Sequence, residues 1–362
     1  MFKLNCLCKI SRGVSELKTY EIDSLKKVNQ ISVGQDRRFF SATHEEILSG
    51  ATTDIYFVKT MEILRDMELS DTIVTAEIFP RKPGIFAGVP EVHNLLKDKD
   101  IELWSLPEGS AFQPKDIVMR IKGKYSEFGL FETTILGFLA SSSGWATAAR
   151  KVKEAAGDSP ISCFGARHVH PAVAPVMERA ALVGGADSAS CILGAKLAGR
   201  EPAGTAPHAL MLIIGDTVKA AQAYHQFMPS GELRLILVDT FKDEAEESLR
   251  LAEALGKDLY GVRLDTPSER GGVTPQLVRE VRARLDLAGF DYVKIFVSGG
   301  LDPDRVRLLK EMGADAFGVG SYISGAPAID MTMDLKEVNG KPIAKRGRIP
   351  GVINNRELTR II

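Results

Sequence analysis

The chain predicts an α/β protein built on a (β/α) barrel, closed or incomplete, with a second, smaller α+β domain. Three observations carry that prediction. Buried apolar runs at residues 233–238, 259–264, 293–297 and 316–319 alternate with helical patterns at 243–255, 274–287 and 302–312. Gly256, Gly289 and Gly313 each stand where one of those helices must stop. Pro275 and Pro303 stand where a first helical turn begins. Strand–helix alternation at this spacing gives βα units and a parallel sheet. An open doubly wound sheet and a barrel both satisfy it. Further apolar segments at 161–164, 186–192 and 209–214 read as additional strands and bring the count toward that of a barrel.

The remaining elements follow in order. Residues 1–33 are rich in Lys, Ser, Asn and Gln and weakly periodic, and read as an N-terminal extension or an upstream translation start. Residues 34–131 and 328–362 together form the α+β domain, and residues 132–327 form the barrel. A helix is expected over 54–67, then strands at 72–79, 101–106 and 117–121, separated by turn-rich segments at 80–90 and 107–114. A long helix follows over 131–156, ending near Gly157. In the tail, Asn339-Gly340 between strand-like flanks signals a hairpin.

Composition bounds the function. The 362 residues are 44% hydrophobic and 26% charged, with a formal net charge of −1, so no overall positive field favours nucleic acid. No apolar run reaches membrane-spanning length, and the first residues lack the apolar core of a signal peptide. Cys6 and Cys8 are too close for a relaxed bridge, and Cys163 and Cys191 read as reduced core thiols. A reducing, cytoplasmic compartment is expected.

In parallel α/β folds ligands bind beyond the carboxyl ends of the strands. Those ends carry Asp239-Thr240, Arg263-Leu264-Asp265, Ser298-Gly299-Gly300 and Gly318-Val319-Gly320. Two glycine turns on adjacent strand ends suit a phosphate cradled by backbone N–H groups, or are tight βα turns. Asp239 and Asp265 suit Mg²⁺ shared with substrate phosphates, and Arg263 suits a phosphate. A structural ion pair is the alternative. Arg167-His168-Val169-His170-Pro171 reads as an anion-facing loop better than as a metal site, because no third ligand follows at a recognisable spacing. His208, after Gly204-Thr205-Ala206-Pro207, reads as a helix-start or core histidine, and His44, His93 and His225 read as surface residues. P-loop, GxGxxG and GxSxG motifs are absent.

The ordered set of motifs resembles the nicotinate phosphoribosyltransferases, relatives of the quinolinate and nicotinamide enzymes. It runs through Thr53-Asp54-Ile55-Tyr56, Leu106-Pro107-Glu108-Gly109, Phe164-Gly165-Ala166-Arg167, Gly184-Gly185-Ala186-Asp187-Ser188 and Gly204-Thr205-Ala206-Pro207-His208 to the strand ends just named. The resemblance covers about residues 39–348. It implies that nicotinate is joined to 5-phosphoribosyl-1-pyrophosphate (PRPP) with release of pyrophosphate, Mg²⁺ assisting and ATP serving as co-substrate.

It also implies roles. Tyr56 and Phe164 would sandwich the pyridine ring, with Tyr56 reaching across from a second subunit. Asp187 would lie close to the base, and Arg167 near its carboxylate or the PRPP phosphates. Arg263, Asp239 and Asp265 would hold PRPP and Mg²⁺. Thr205, His168, Ser298, Gly299, Gly300, Gly318 and Gly320 would line the phosphates. His208 would be the histidine phosphorylated by ATP, although Pro207 precedes it where nicotinamide relatives carry an acid. The implied assembly is a homodimer at minimum, with a hexamer as a further state. Three other readings stand beside this one: the decarboxylating quinolinate enzyme, a silent phosphate-binding paralogue, and an unrelated barrel enzyme acting on sugar phosphates.

Overall fold

Side-chain alternation along short parallel strands decides how the second half of this chain is built. The computed structural model describes residues 21–362. Its elements begin with α1 (Leu25–Gln30), α2 (His44–Leu48) and α3 (Ile55–Asp66), then β1 (Ile73–Pro80), β2 (Gly84–Ile85) and α4 (Val89–Leu96). Next come β3 (Ile101–Ser105), β4 (Ala111–Phe112), β5 (Met119–Lys124), α5 (Tyr125–Phe128) and the long α6 (Glu132–Ala156). The barrel half follows with β6 (Ile161–Cys163), α7 (Ala174–Gly184), β7 (Ser188–Ala189), α8 (Ile192–Leu197), α9 (His208–Ile214) and α10 (Thr217–Phe227). It continues through β8 (Leu235–Leu237), α11 (Glu244–Leu255), β9 (Gly261–Leu264), α12 (Pro275–Leu287), β10 (Lys294–Ser298), α13 (Pro303–Glu311), β11 (Ala316–Val319) and α14 (Ser321–Ser324). The chain closes with β12 (Met331–Val338), β13 (Lys341–Pro342) and β14 (Thr359–Arg360).

Six parallel strands in the order β7-β6-β11-β10-β9-β8 form one sheet. Its end strands do not pair with each other, so the barrel is a half-barrel, the incomplete form of the predicted architecture. Along β9, β10, β11 and β6, residues Val262, Leu264, Ile295, Val297, Phe317, Val319, Ile161 and Cys163 all face the surrounding helices and are fully buried. Each such aliphatic or aromatic side chain contributes about 1.5–3 kcal/mol of burial. The intervening residues take the other face. Cross-strand partners put Gly318 beside Ser162 and Ser298, and Phe296 beside Arg263. One face is therefore a hydrophobic seam and the other is free for chemistry.

The second sheet is antiparallel, in the order β13-β12-β1-β5-β3-β14, and contains the predicted hairpin: Asn339 and Gly340 turn β12 into β13 with positive φ at both positions. The tail returns through β12, which pairs antiparallel with β1. The two cores share α6. Its Ile135 and Leu139 join the core of the antiparallel sheet, while Ala149, Val152 and Ala156 join that of the half-barrel. A boundary drawn at residue 131 therefore separates the sheets but not the packing.

Four expectations need correction. The apolar run 209–214 is helix α9, not a strand; Leu212 and Ile213 on it stay exposed, so the run is not a buried strand core. The strand expected over 186–192 shrinks to the two residues of β7. The turn-rich segment 80–90 leads directly into helix α4, whose Pro90 occupies a first-turn position. The N-terminal segment also holds helix α1, capped by the Ser24 side chain, where only an extension was expected. Cys6 and Cys8 lie outside the described residues. Among the described residues no helix is long and apolar enough to cross a membrane.

Candidate active site

The carboxyl ends of the parallel strands converge on Arg263. Its Nε donates to Ser298 Oγ at 2.8 Å, one Nη to Thr205 Oγ1 at 2.8 Å and the other to Asp265 Oδ2 at 3.3 Å. Ser298 Oγ in turn donates to Asp265 Oδ1 at 2.8 Å. The guanidinium lies 5.0 Å from the centre of the Phe164 ring, a cation–π distance. Burial pulls Arg263 below the ordinary arginine range, while Asp265 and Asp239 push it back. An arginine so placed remains charged, and its fork is pre-oriented.

Phe164 stacks on Phe296 with centroids 5.8 Å apart and planes at 26°. Gly318 makes room for that stack, because a Cβ there would sit 2.5 Å from the Phe164 ring and 2.9 Å from Phe296. Gly320 does the same for His168, whose Cε1 would be 2.7 Å from an added Cβ. These two glycines are small for the sake of neighbouring rings, a reason that tight turns alone do not give. At Gly299 and Gly300 the φ values are +94° and +61°, so that turn requires glycine for its backbone.

His208 is the first residue of α9, and its Nε2 lies 3.0 Å from Asp239 Oδ2. The Asp239 side chain is 2% exposed, and burial raises its pKa, with the His208 hydrogen bond opposing the rise. Asp239 Oδ1 is buried and has no hydrogen-bond partner among the described residues. A buried carboxylate oxygen with no donor is a suitable ligand for a cation, and Asp265 on the adjacent strand end supplies a second carboxylate. Among the described residues no group of three or more His, Cys, Asp or Glu could hold a metal alone. Two carboxylates are what Mg²⁺ ordinarily takes from protein, the rest of its shell being water and substrate oxygens, so Asp239 and Asp265 are the residues that could hold it.

The structure thus gathers Phe164, Arg167, His168, Thr205, His208, Asp239, Arg263, Asp265, Ser298, Gly299, Gly300, Gly318 and Gly320 on one rim. Arg167 is exposed and has no ion-pair partner among the described residues; its charge is felt at Arg263. Two predicted base contacts lie elsewhere. Asp187 sits at the opposite end of β6, where Oδ2 accepts from the Ile161 N–H at 2.8 Å and pairs with Lys153 at 2.9 Å. It fastens the strand's start, so the expectation that it lies close to the base is corrected. Tyr56, on α3 of the first domain, is 56% exposed; its ring partner is Phe57, not the rim of its own protomer.

Two residues escaped the sequence reading. Phe296 sits inside a run that reads only as buried strand, and nothing in the run marks which face each residue takes. Glu178 is fully buried on α7. The sequence shows it as the single carboxylate beside Met177, Ala180 and Ala181 on a helix whose other charge is Arg179.

Comparison with known proteins places this geometry. The model of the quinolinate phosphoribosyl transferase N-terminal domain matches residues 54–143, and that of the C-terminal domain matches residues 145–334. A nicotinate phosphoribosyltransferase of Mycobacterium tuberculosis is 32% identical over 247 residues, covering 66% of this chain and 52% of the relative. The human nicotinate-nucleotide pyrophosphorylase [carboxylating] is 28% identical over 273 residues, 75% of this chain and 85% of that protein. The crystal structure of nicotinate-nucleotide pyrophosphorylase from Pyrococcus furiosus superposes with a TM-score of 0.84 at 44% identity, covering 87% of this chain and 82% of that one. The chain spans about half the length of the curated nicotinate relatives it matches. With both domain models matched in order across most of its residues, the chain belongs to the quinolinate phosphoribosyl transferase family, the type II phosphoribosyltransferases.

Proposed function

We propose that this protein is a nicotinate phosphoribosyltransferase of NAD synthesis, joining nicotinate to PRPP to give nicotinate mononucleotide and pyrophosphate, coupled to ATP hydrolysis through phosphorylation of His208. The observation that carries this reading is the His208–Asp239 pair on the same rim as Arg263 and Asp265.

The pyridine nitrogen is itself the nucleophile, so phosphoribosyl transfer needs no general base. A histidine backed by a buried carboxylate would have no task in that step. It has one if it accepts a phosphoryl group: Nε2–H donated to Asp239 leaves the Nδ1 lone pair free to attack, and Asp239 stabilises the imidazolium that forms.

In the transfer step, Phe164 offers a flat face to the pyridine and Arg167 a cation to its carboxylate or to a phosphate. The turns at Gly299-Gly300 and Gly318-Gly320 hold the 5-phosphate. Positive charge develops at the anomeric carbon as pyrophosphate departs, and Arg263, fixed by three partners, meets the departing charge without reorganising. Asp239 and Asp265 would hold Mg²⁺, whose chemistry when bound would be to neutralise part of that charge. Tyr56, exposed together with Ile55 and Ile63 on α3 and Met67 at its end, is free to complete the pocket of a second copy in a homodimer.

A second reading is the quinolinate enzyme. It is favoured by the loop Arg167-His168-Val169-His170, which suits a second carboxylate, and by the likeness to nicotinate-nucleotide pyrophosphorylase of Pyrococcus furiosus. One assay separates the two. Purified protein, PRPP and Mg²⁺ are mixed with nicotinate, quinolinate or nicotinamide, with and without ATP. Nicotinate turnover stimulated by ATP, with the stimulation lost in His208→Ala, supports the proposal. ATP-independent turnover of quinolinate with release of carbon dioxide replaces it with the second reading. No turnover with any base leaves a silent phosphate-binding paralogue.

A further inference from the structure

We propose that Glu178 is a positioning residue that sets the loop carrying Phe164, Arg167 and His168, and so controls binding of the pyridine base. The proposal rests on the phosphoribosyltransferase reading for its substrate but not for its geometry. Glu178 is 0% exposed and has no cation within ion-pair distance among the described residues. Its charge is met entirely by donors from two loops. Oε1 accepts from the Ala166 N–H at 3.1 Å and from the Ser190 hydroxyl at 3.0 Å, and Oε2 accepts from the Cys191 N–H at 2.6 Å.

Those donors sit just past the carboxyl ends of β6 and β7, two neighbouring strands of the half-barrel. A buried carboxylate without a counter-ion is costly, and hydrogen bonds to it are stronger than neutral ones. The side chain is therefore held only where both loops present their donors, and each loop is held by the same side chain. Ala166 opens the single turn Ala166–His168, so its N–H fixes the residue between the Phe164 ring and the Arg167 guanidinium. Met177, the preceding residue of α7, closes the other side of the loop: its Cε would meet a Cβ at Gly165 at 2.7 Å.

Glu178→Gln keeps the size and removes one acceptor. With the amide oxygen toward Ala166 and Ser190, its NH₂ confronts the Cys191 N–H, donor against donor. The rest of the rim, Arg263, Asp265, Ser298 and His208, has no bond to Glu178 and stays in place.

The test measures steady-state kinetics and thermal unfolding of Glu178→Gln beside the unaltered protein, with hydrogen exchange of peptides covering 164–170 and 190–193. The expected result is a base KM raised about tenfold, as loss of one charge-assisted hydrogen bond implies. The expected kcat lies within threefold and both peptides exchange faster, while unfolding remains cooperative. A base KM within twofold, or a loss confined to kcat, overturns the proposal. If Glu178→Gln does not fold, Ser190→Ala decides, because it removes one donor of the three: a base KM raised threefold or more supports the proposal and an unchanged one overturns it. If the unaltered protein turns over no pyridine, the functional reading has failed, and the exchange of the two peptides alone decides whether Glu178 positions the loop.

Discussion

Replacing Arg263 by lysine keeps the charge and removes the fork, which makes it the sharpest test of the site. The guanidinium reaches Ser298, Thr205 and Asp265 at once and lies over the Phe164 ring. An ammonium on a flexible stem can satisfy one of those partners in a given pose, and it cannot stack as a plane. At least one charge-assisted contact to the departing pyrophosphate is then lost, or made only at the cost of an internal one. Such a contact is worth about 1.5–3 kcal/mol, which corresponds to a fall in kcat/KM of about 10- to 150-fold. The measurement is kcat/KM for PRPP at saturating base, with a thermal melt to show that the variant folds. Within the site, Ser298 keeps its bond to Asp265, so the melt should stay cooperative. Retention of kcat/KM within twofold would show that the fork is an architectural strut and not part of the chemistry.

Three further outcomes are expected. Gly318→Ala places a methyl 2.5 Å from the Phe164 ring, so overpacking should cost about 1–3 kcal/mol and raise the base KM; an unchanged melt and KM would mean that the stacked rings do not form the base platform. Asp239→Asn should slow phosphorylation of His208 by labelled ATP on the order of 10²-fold, because the neutral amide no longer stabilises the imidazolium; an unchanged labelling rate would remove Asp239 from that step. Glu132, at the start of α6, is raised to about 7 by burial, with Asp334 adding to the rise. Its ionised form is therefore disfavoured in the folded state. The resulting loss of stability is absent below the ordinary glutamate range and grows to at most about 3 kcal/mol as pH rises through 7. Chemical denaturation at pH 5 and pH 8 should show wild type losing this increment relative to Glu132→Gln, and a pH-independent difference between the two would refute the assignment.

The half-barrel was legible because its signals are local. Gly256, Gly289 and Gly313 end helices, Pro275 and Pro303 start them, and the strand ends follow at once, so Asp239, Arg263, Asp265 and Ser298 could be placed on one rim without seeing it. The run 209–214 misled because periodicity cannot separate a short apolar strand from a short helix that leaves its apolar face exposed. Asp187 misled for a different reason. It lies beside β7, but Asp187 precedes the strand, and a residue before a parallel strand belongs to the rim opposite the ligand.

Glu178 marks the limit of the motif-based reading most clearly, because two of its three donors are backbone groups and a backbone donor leaves no trace in residue identity. Three consecutive side chains of α7 face three ways. Met177 packs beneath Gly165, Glu178 holds the Ala166 and Cys191 N–H groups, and Arg179 pairs with Glu108 at 2.7 Å. Glu108 also accepts from the Gly88 N–H at 2.7 Å, at the start of α4 in the first domain. One helical turn therefore joins the loop that carries Phe164 and Arg167 to the domain that carries Tyr56. The motif containing Glu108 was singled out by resemblance alone. Its geometric role is a half-buried ion pair that fixes how the first domain meets the half-barrel. If Tyr56 serves a second copy's pocket, Arg179 and Glu108 set the geometry from which it is presented, and a displacement of α7 would be felt at two active sites at once.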